Sequence, residues 1–312
     1  MSQNDSMIYN FQNLEVRVLN TLNKTKATKK LKSIKGPTLC VGSGGSNVVA
    51  AFVSQVLTRK NNCFCKIQEP RDALHEKEGT YKNIFVCSYS GNNHGVNVLE
   101  NLNSKKYLLT YGEKTASSFI KIKCNSSLEK EMSFISLGAT LMPMAILLDY
   151  YLESDTQKFI TNTFSNCINK RYNIPKNNLP FDLISGEDTI TIEKYLDSTF
   201  AEGGLSPLTI HKKYDYCHGR STLSYKEKRN LIYLISKRNE LDTLLLNLLE
   251  DKYESIIVLE GNNNDDILNN FELTAQAMYL TKQIAEYKNI DLSIIEYNKP
   301  LCKILYKYTG EM

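Results

Sequence analysis

Histidine is scarce in this chain. There are four, at positions 75, 94, 211 and 218, and two of them have no carboxylate or cysteine nearby, which leaves little material for a structural zinc site. The eight cysteines, at 40, 63, 65, 87, 124, 167, 217 and 302, form no CxxC pair, and several sit inside apolar runs. They read as reduced, buried thiols of a cytosolic protein. No run of 18 apolar residues occurs, which argues against a membrane span. The opening MSQNDSMIYNFQNLEV has no basic flank before an apolar core and does not read as a signal peptide. Charge of one sign is lacking too: 38 Lys and Arg against 34 Asp and Glu leave a net +4, with no basic block, so nucleic acid is not the default partner. What is present is ordinary globular material. Hydrophobic residues make up 42% and charged residues 23%, enough to bury a core, and 312 residues favour two domains over one or three.

Residues 1–33 read as one helix with a ragged apolar face (Leu14, Val16, Val18, Leu19, Leu22) and a basic end (Lys24, Lys26, Lys29, Lys30, Lys32), a solvated face suited to a helix C-terminus. Short apolar runs then alternate with helical spacing. Strands are expected at 37–42, 63–68, 83–88, 105–111 and 119–124, and helices at 46–57, 97–102, 132–151 and 156–171. Strands apolar throughout, separated by helices, indicate a parallel sheet covered on both faces. RYNIPKNNLPFD (171–182) reads as a linker. The rhythm then restarts, with strands at 181–185, 229–236, 254–261 and 291–297 and helices at 240–253 and 272–287. The chain looks like two copies of one α/β unit, with no short-period repeat.

Two turns carry chemistry. Gly42-Ser43-Gly44-Gly45-Ser46 follows a strand and opens a helix, so glycines allow close backbone approach beside unpaired N–H groups and the positive end of the helix dipole. It is neither GxGxxG nor a P-loop. Ser88-Tyr89-Ser90-Gly91-Asn92-Asn93 follows a second strand in the same way. Two hydroxyl-rich turns at the carboxyl edge of one parallel sheet, the edge where open α/β sheets bind ligands, point to a phosphate monoester.

The pair strand–GSGGS–helix and strand–SYSGNN–helix resembles the sugar isomerase (SIS) domain, and roughly residues 35–312 are covered by the likeness. The resemblance implies an α/β fold of two tandem SIS units, each a flavodoxin-like parallel sheet with helices on both faces: residues 35–172 binding phosphate and residues 173–312 supplying catalytic groups, after a helical segment 1–34. It implies that Ser43, Gly44, Ser46, Ser88, Tyr89, Ser90 and Asn93 hold a sugar phosphate, with Tyr89 where the family often has Gln and Asn93 where it often has Thr. Two-unit members resemble the isomerase part of glucosamine-6-phosphate synthase. They carry a Glu and, sixteen residues later, a His followed by Gly; here Glu202 and His218 have that spacing (218 − 202 = 16).

The chemistry is coherent in itself. Interconversion of aldose and ketose phosphates removes a proton beside a carbonyl, which suits a carboxylate of raised pKa in a partly dry pocket, and a neutral His can move the proton needed for ring opening. That chemistry needs no metal or nucleotide cofactor. Departures from the family pattern are also informative. Ser236-Lys237-Arg238-Asn239-Glu240 stands where the first unit has SYSGNN, so the second unit is expected to bind no phosphate. Ser136-Leu137 replaces a Thr-Lys pair, which argues against ammonia transfer. In the tail, Lys303 is the nearest match to a sugar-contacting lysine, with Lys307 behind it, and a surface role is the reading favoured for both. Arg220 stands where the synthases have Pro, and suits a second phosphate, a carboxylate, or pairing with Asp215. The resemblance implies a phosphosugar isomerase or deglycase, cytoplasmic and homodimeric. The alternatives are a sugar-phosphate sensor and a nucleotide- or ribose-phosphate-processing relative.

Overall fold

The structure, a computed structural model, describes residues 10–22, 27–92, 94–113, 117–124 and 135–293. Two parallel sheets organise the chain. The first has five strands in the order β2-β1-β3-β4-β5: β1 (Thr38–Val41), β2 (Cys65–Gln68), β3 (Asn83–Cys87), β4 (Lys105–Thr110) and β5 (Phe119–Lys123). The second has four in the order β7-β6-β8-β9: β6 (Phe181–Ser185), β7 (Leu208–Lys212), β8 (Asn230–Ile235) and β9 (Ser255–Glu260). In each sheet the first strand is followed by its neighbour on one side and then by the strand on its other side. This order-reversal opens a crevice at the carboxyl ends of β1 and β3, and a second at those of β6 and β8.

Alternation along the strands explains the layering. Cys40, Phe85, Tyr107 and Leu109 of the first sheet face the same core as Leu183, Ile232 and Leu234 of the second, whereas Leu39, Val41, Ile84, Val86 and Leu108 form a smaller outer cluster. Ile184, Leu231, Tyr233 and Ile235 do the same outside the second sheet. The shared inner layer is helical. It contains α1 (Leu14–Leu22), α3 (Gly45–Asn61), α5 (Gly138–Leu152), α6 (Thr156–Asn169), α7 (Ile190–Glu202) and α10 (Asp266–Lys288). Packing of α3 from the first half against α7 from the second is what later brings groups of the two halves together. Buried on almost every side, α3 and α10 show none of the amphipathic polarity of surface helices. Asp265 caps α10, accepting hydrogen bonds from the backbone N–H groups of Ile267 (2.8 Å) and Leu268 (3.1 Å).

Several expectations need correction. The stretch 1–33 is not one helix: α1 and α2 (Thr28–Lys32) are separated, with Ala27 outside either. Residues 98–102 form turns after a short helix, α4 (His94–Asn97), although Val96 and Leu99 are buried as their apolar spacing suggested. Strand β7 was not anticipated. The strand expected at 291–297 lies mostly outside the described residues, and 291–293 are not extended. Cys217 is exposed and Cys65 half-buried, while Cys40, Cys63, Cys87, Cys124 and Cys167 are buried; Cys302 lies outside the described residues. No helix among the described residues is long and apolar enough to cross a membrane.

Candidate functional site

The first loop turns sharply out of β1. Gly44 sits at φ 53°, ψ −130°, a conformation that L side chains rarely adopt, and caps α3. Ser46 N–H donates to Ser43 O (3.1 Å) and Asn47 N–H to Gly44 O (2.9 Å), closing the turn. The second loop is stitched to the end of β4: Tyr111 N–H and Thr110 Oγ1 both donate to Tyr89 O (3.2 and 3.1 Å). Gly112 is needed for this approach, since a Cβ there would lie 1.7 Å from Ser90 O. The Tyr89 and Tyr111 rings meet at 4.9 Å. Ser46, Ser88 and Tyr89 line one small cavity together with Cys87, Tyr111 and Pro143.

The hydroxyls differ in what they have left to give. Ser88 Oγ accepts from Gly91 N–H (3.2 Å) and Ser90 Oγ from Asn92 N–H (3.5 Å), so each retains its own proton as a donor. Ser46 Oγ makes no hydrogen bond among the described residues. Ser43 is committed: its hydroxyl donates to Glu69 Oε2 (2.7 Å), on the β2 side of the loop and away from the crevice between β1 and β3. The structure therefore brings Gly44, Ser46, Ser88, Tyr89 and Ser90 to one sheet edge and turns Ser43 aside.

Glu202 arrives from the other half of the chain. It ends α7, accepts a hydrogen bond from Ser198 Oγ at Oε1 (2.7 Å), and places that oxygen 3.5 Å from where a Cβ on Gly44 would stand. It is exposed, not enclosed in the partly dry pocket expected of a general base. Leu292 packs on the next residue, with its Cδ2 3.2 Å from the position of a Cβ on Gly203. Ser136, noted in the sequence only as a departure, lies with its Oγ 3.1 Å from the corresponding position on Gly45. Asn47 and Glu69 also belong to the first loop, and nothing local in the sequence marks Glu69 except its place just after β2.

His218 and Arg220 lie elsewhere. They sit in an exposed segment after β7, where Gly219 takes φ 131°. Arg220 Nη1 donates to Ile210 O (3.1 Å) and does not pair with Asp215. His218 makes no hydrogen bond or ion pair among the described residues, with Glu202 or any other group. Tyr216 and Ser224 anchor the two ends of this segment in a buried polar network. Tyr216 Oη donates to Ser224 Oγ (3.1 Å) and Ser224 Oγ to Asp182 Oδ2 (3.1 Å); Tyr253 Oη donates to Asp182 Oδ2 (2.8 Å) and Arg229 Nε to Asp182 Oδ1 (2.7 Å). At the crevice of the second sheet, Ser236 Oγ donates to Asp266 Oδ1 (2.9 Å), and Lys213 pairs with Asp242. Burial pushes the Asp188 carboxyl there above its usual range; Lys213 opposes that shift, and Asp266 and Asp242 add to it. Asn93 and Lys303 lie outside the described residues. No cluster of three metal-ligating side chains occurs among those described.

No family model matches the chain, and no curated protein does. Solved structures do. Glucosamine-6-phosphate deaminase from Thermotoga maritima is similar at a TM-score of 0.72 and 16% identity, over 94% of this chain and 98% of that one. The C-terminal domain of glucosamine-fructose-6-phosphate aminotransferase from Francisella tularensis gives 0.69 and 12%, over 92% and 97%. Tagatose-6-phosphate ketose/aldose isomerase from Escherichia coli gives 0.68 and 10%, over 93% and 96%. At such identities the likeness is one of fold: two parallel sheets with helices on both faces, each in a flavodoxin-like arrangement.

Proposed function

We propose that the chain is a phosphosugar isomerase or deglycase. The observation that carries this reading is the meeting of donor hydroxyls on Ser46, Ser88 and Ser90, at the carboxyl ends of β1 and β3, with Glu202 from the other half beside Gly44. The phosphate of an open-chain sugar sits on the second loop, held by Ser88, Ser90 and Asn93 together with Ser46. Glu202 takes the proton from carbon two, giving an enediol (from an amino sugar, an enolamine), and returns it to carbon one, while a proton passes between the two oxygens. Water then releases ammonia where the substrate carries an amine. His218 assists ring opening and comes from a second copy, so the working unit is a cytoplasmic homodimer. No metal or nucleotide cofactor takes part. Lys303 lies ten residues past the last described one (303 − 293 = 10), and ten residues reach at most about 33–36 Å. Since Leu292 packs beside Glu202, the tail can supply that lysine to the cleft.

A binding role without turnover is the second reading. It is favoured by the exposure of Glu202 and by the lack of contact between Glu202 and His218 among the described residues. Exchange of the carbon-two proton with deuterated water, followed by NMR over a panel of hexose and pentose phosphates, separates the two. Isomerase chemistry gives exchange that Glu202→Gln slows by roughly 10²–10⁴-fold, the usual contribution of a positioned general base. Binding without any exchange in the wild type establishes the sensor; no binding at all rejects both.

A further inference from the structure

Among the described residues, Glu69 is the one carboxylate hydrogen-bonded to the first loop. Its Oε2 accepts from Ser43 Oγ (2.7 Å) and its Oε1 from Asn47 Nδ2 (2.8 Å). Ser43 and Asn47 bracket the three residues that face the cleft: Gly44 towards Glu202, Gly45 towards Ser136, and Ser46 towards the cavity it shares with Ser88. The carboxylate thus bridges the turn at both ends, beside the N-terminus of the 17-residue α3, where negative charge is favoured. Two side-chain donors and a helix N-terminus are what a strand–turn–helix loop normally offers to a bound phosphate. Here the protein's own anion has taken the two side-chain donors. The second loop contrasts with this, because its serine oxygens accept only backbone N–H groups and keep their protons.

We propose that Glu69 is a built-in anion that occupies the Ser43 and Asn47 donors of the first loop and so restricts the cleft to ligands with a single phosphate, carried on the second loop. This rests on the reading of the cleft as a sugar-phosphate site. A second phosphate at the first loop would face both Glu69 and Glu202 without the Ser43 and Asn47 donors. At ~6 Å and an effective dielectric near 20, even one such repulsion amounts to roughly tenfold or more in affinity. Apart from Ser46, which faces the second loop, the first loop therefore receives the uncharged or cationic end of the ligand.

Chemical rescue tests the built-in anion directly in the full-length chain. Glu69→Ala should melt below the wild type, and sodium formate or inorganic phosphate should raise its Tm saturably, an effect that sodium chloride does not reproduce and the wild type does not show. Glu69→Gln keeps the size of the side chain and serves where the alanine variant does not fold. Calorimetry with a hexose 6-phosphate and a hexose 1,6-bisphosphate tests the selectivity. The wild type should prefer the monophosphate by about tenfold or more, and Glu69→Gln should cut that preference by about tenfold, leaving only what Glu202 contributes. An unchanged ratio, or equal responses to formate in wild type and variant, overturns the role of Glu69. Formate rescue in a protein that binds no sugar phosphate would instead overturn the functional reading and leave the internal anion in place.

Discussion

Asp182 is the most exacting test of how the His218 segment is held. Its carboxyl is fully buried and meets Arg229, Tyr253 and Ser224, with His211 Nε2 at 3.4 Å. Burial is the largest single influence on this carboxyl and pushes its pKa up. The neighbouring His211 ring, hydrogen bonds from Tyr253 and Arg229, and the guanidinium charge together outweigh burial and hold it below its ordinary value. Asp182→Asn removes the charge and keeps the shape, leaving the Arg229 guanidinium, 5% exposed, with Thr209 Oγ1 and Phe181 O but no close carboxylate other than the exposed Glu227 at 3.6 Å. Breaking a buried pair in this way costs about 3–5 kcal/mol, a large part of the 5–15 kcal/mol or so that holds a typical domain together. The sign of the pH dependence follows from the depressed pKa. The stabilisation is fully present above the unfolded carboxyl's pKa, near ~3.9, and is lost as pH falls through the lower folded value. Urea unfolding of wild type and variant should therefore show a constant gap from pH 7 to about pH 4 that closes below it. Hydrogen exchange should rise at 217–223, because Tyr216 and Ser224 hang from the same carboxylate. A gap under about 1 kcal/mol at pH 7, the worth of an exposed ion pair, or one indifferent to acid, refutes the reasoning.

Ser88→Ala with Ser90→Ala should weaken a sugar phosphate by about 1–3 kcal/mol, the loss of charge-assisted hydrogen bonds, whereas Ser43→Ala should cost it far less; equal losses in calorimetry would contradict the assignment of donors. Among the described cysteines, Cys217 should be the first to react with iodoacetamide in the native protein, read by mass spectrometry. Cys167, pushed up to about 12 by burial and by the charge of Glu272, should react only on unfolding, as should Cys87 and Cys124, which burial raises too. Light scattering should find a dimer, and mixing Glu202→Gln with His218→Ala chains should restore part of the activity that each lacks alone. A fully active monomer would exclude the shared site.

The strands buried on both faces are the plainest in the sequence, although the partly exposed β2, β5 and β9 are legible there too. TLCV, NIFVC and NLIYLI are covered at every position and read as unbroken apolar runs. β7 is an edge strand, mostly half-buried, and LTIHK carries three polar residues in five, so its pattern is that of a loop. The N-terminal segment reads as one helix because no glycine or proline interrupts it from Leu14 to Lys32, yet Ala27 lies outside both α1 and α2. The site divides along the same line between local and distant information. Glycines and serines directly after a strand announce a ligand loop, since the turn and the helix N-terminus are both written within a few residues. Which serine has a proton to offer is settled from far away. Glu69 stands 26 residues from Ser43, and only the pairing of β2 beside β1 puts the two together. The same holds for Glu202, whose place against Gly44 depends on α7 packing on α3. A strand-then-glycine pattern therefore locates the sheet edge on which the proposed function places its ligand. In that proposal the charge of the edge depends on Glu69, just past the neighbouring strand, as directly as on the loop itself.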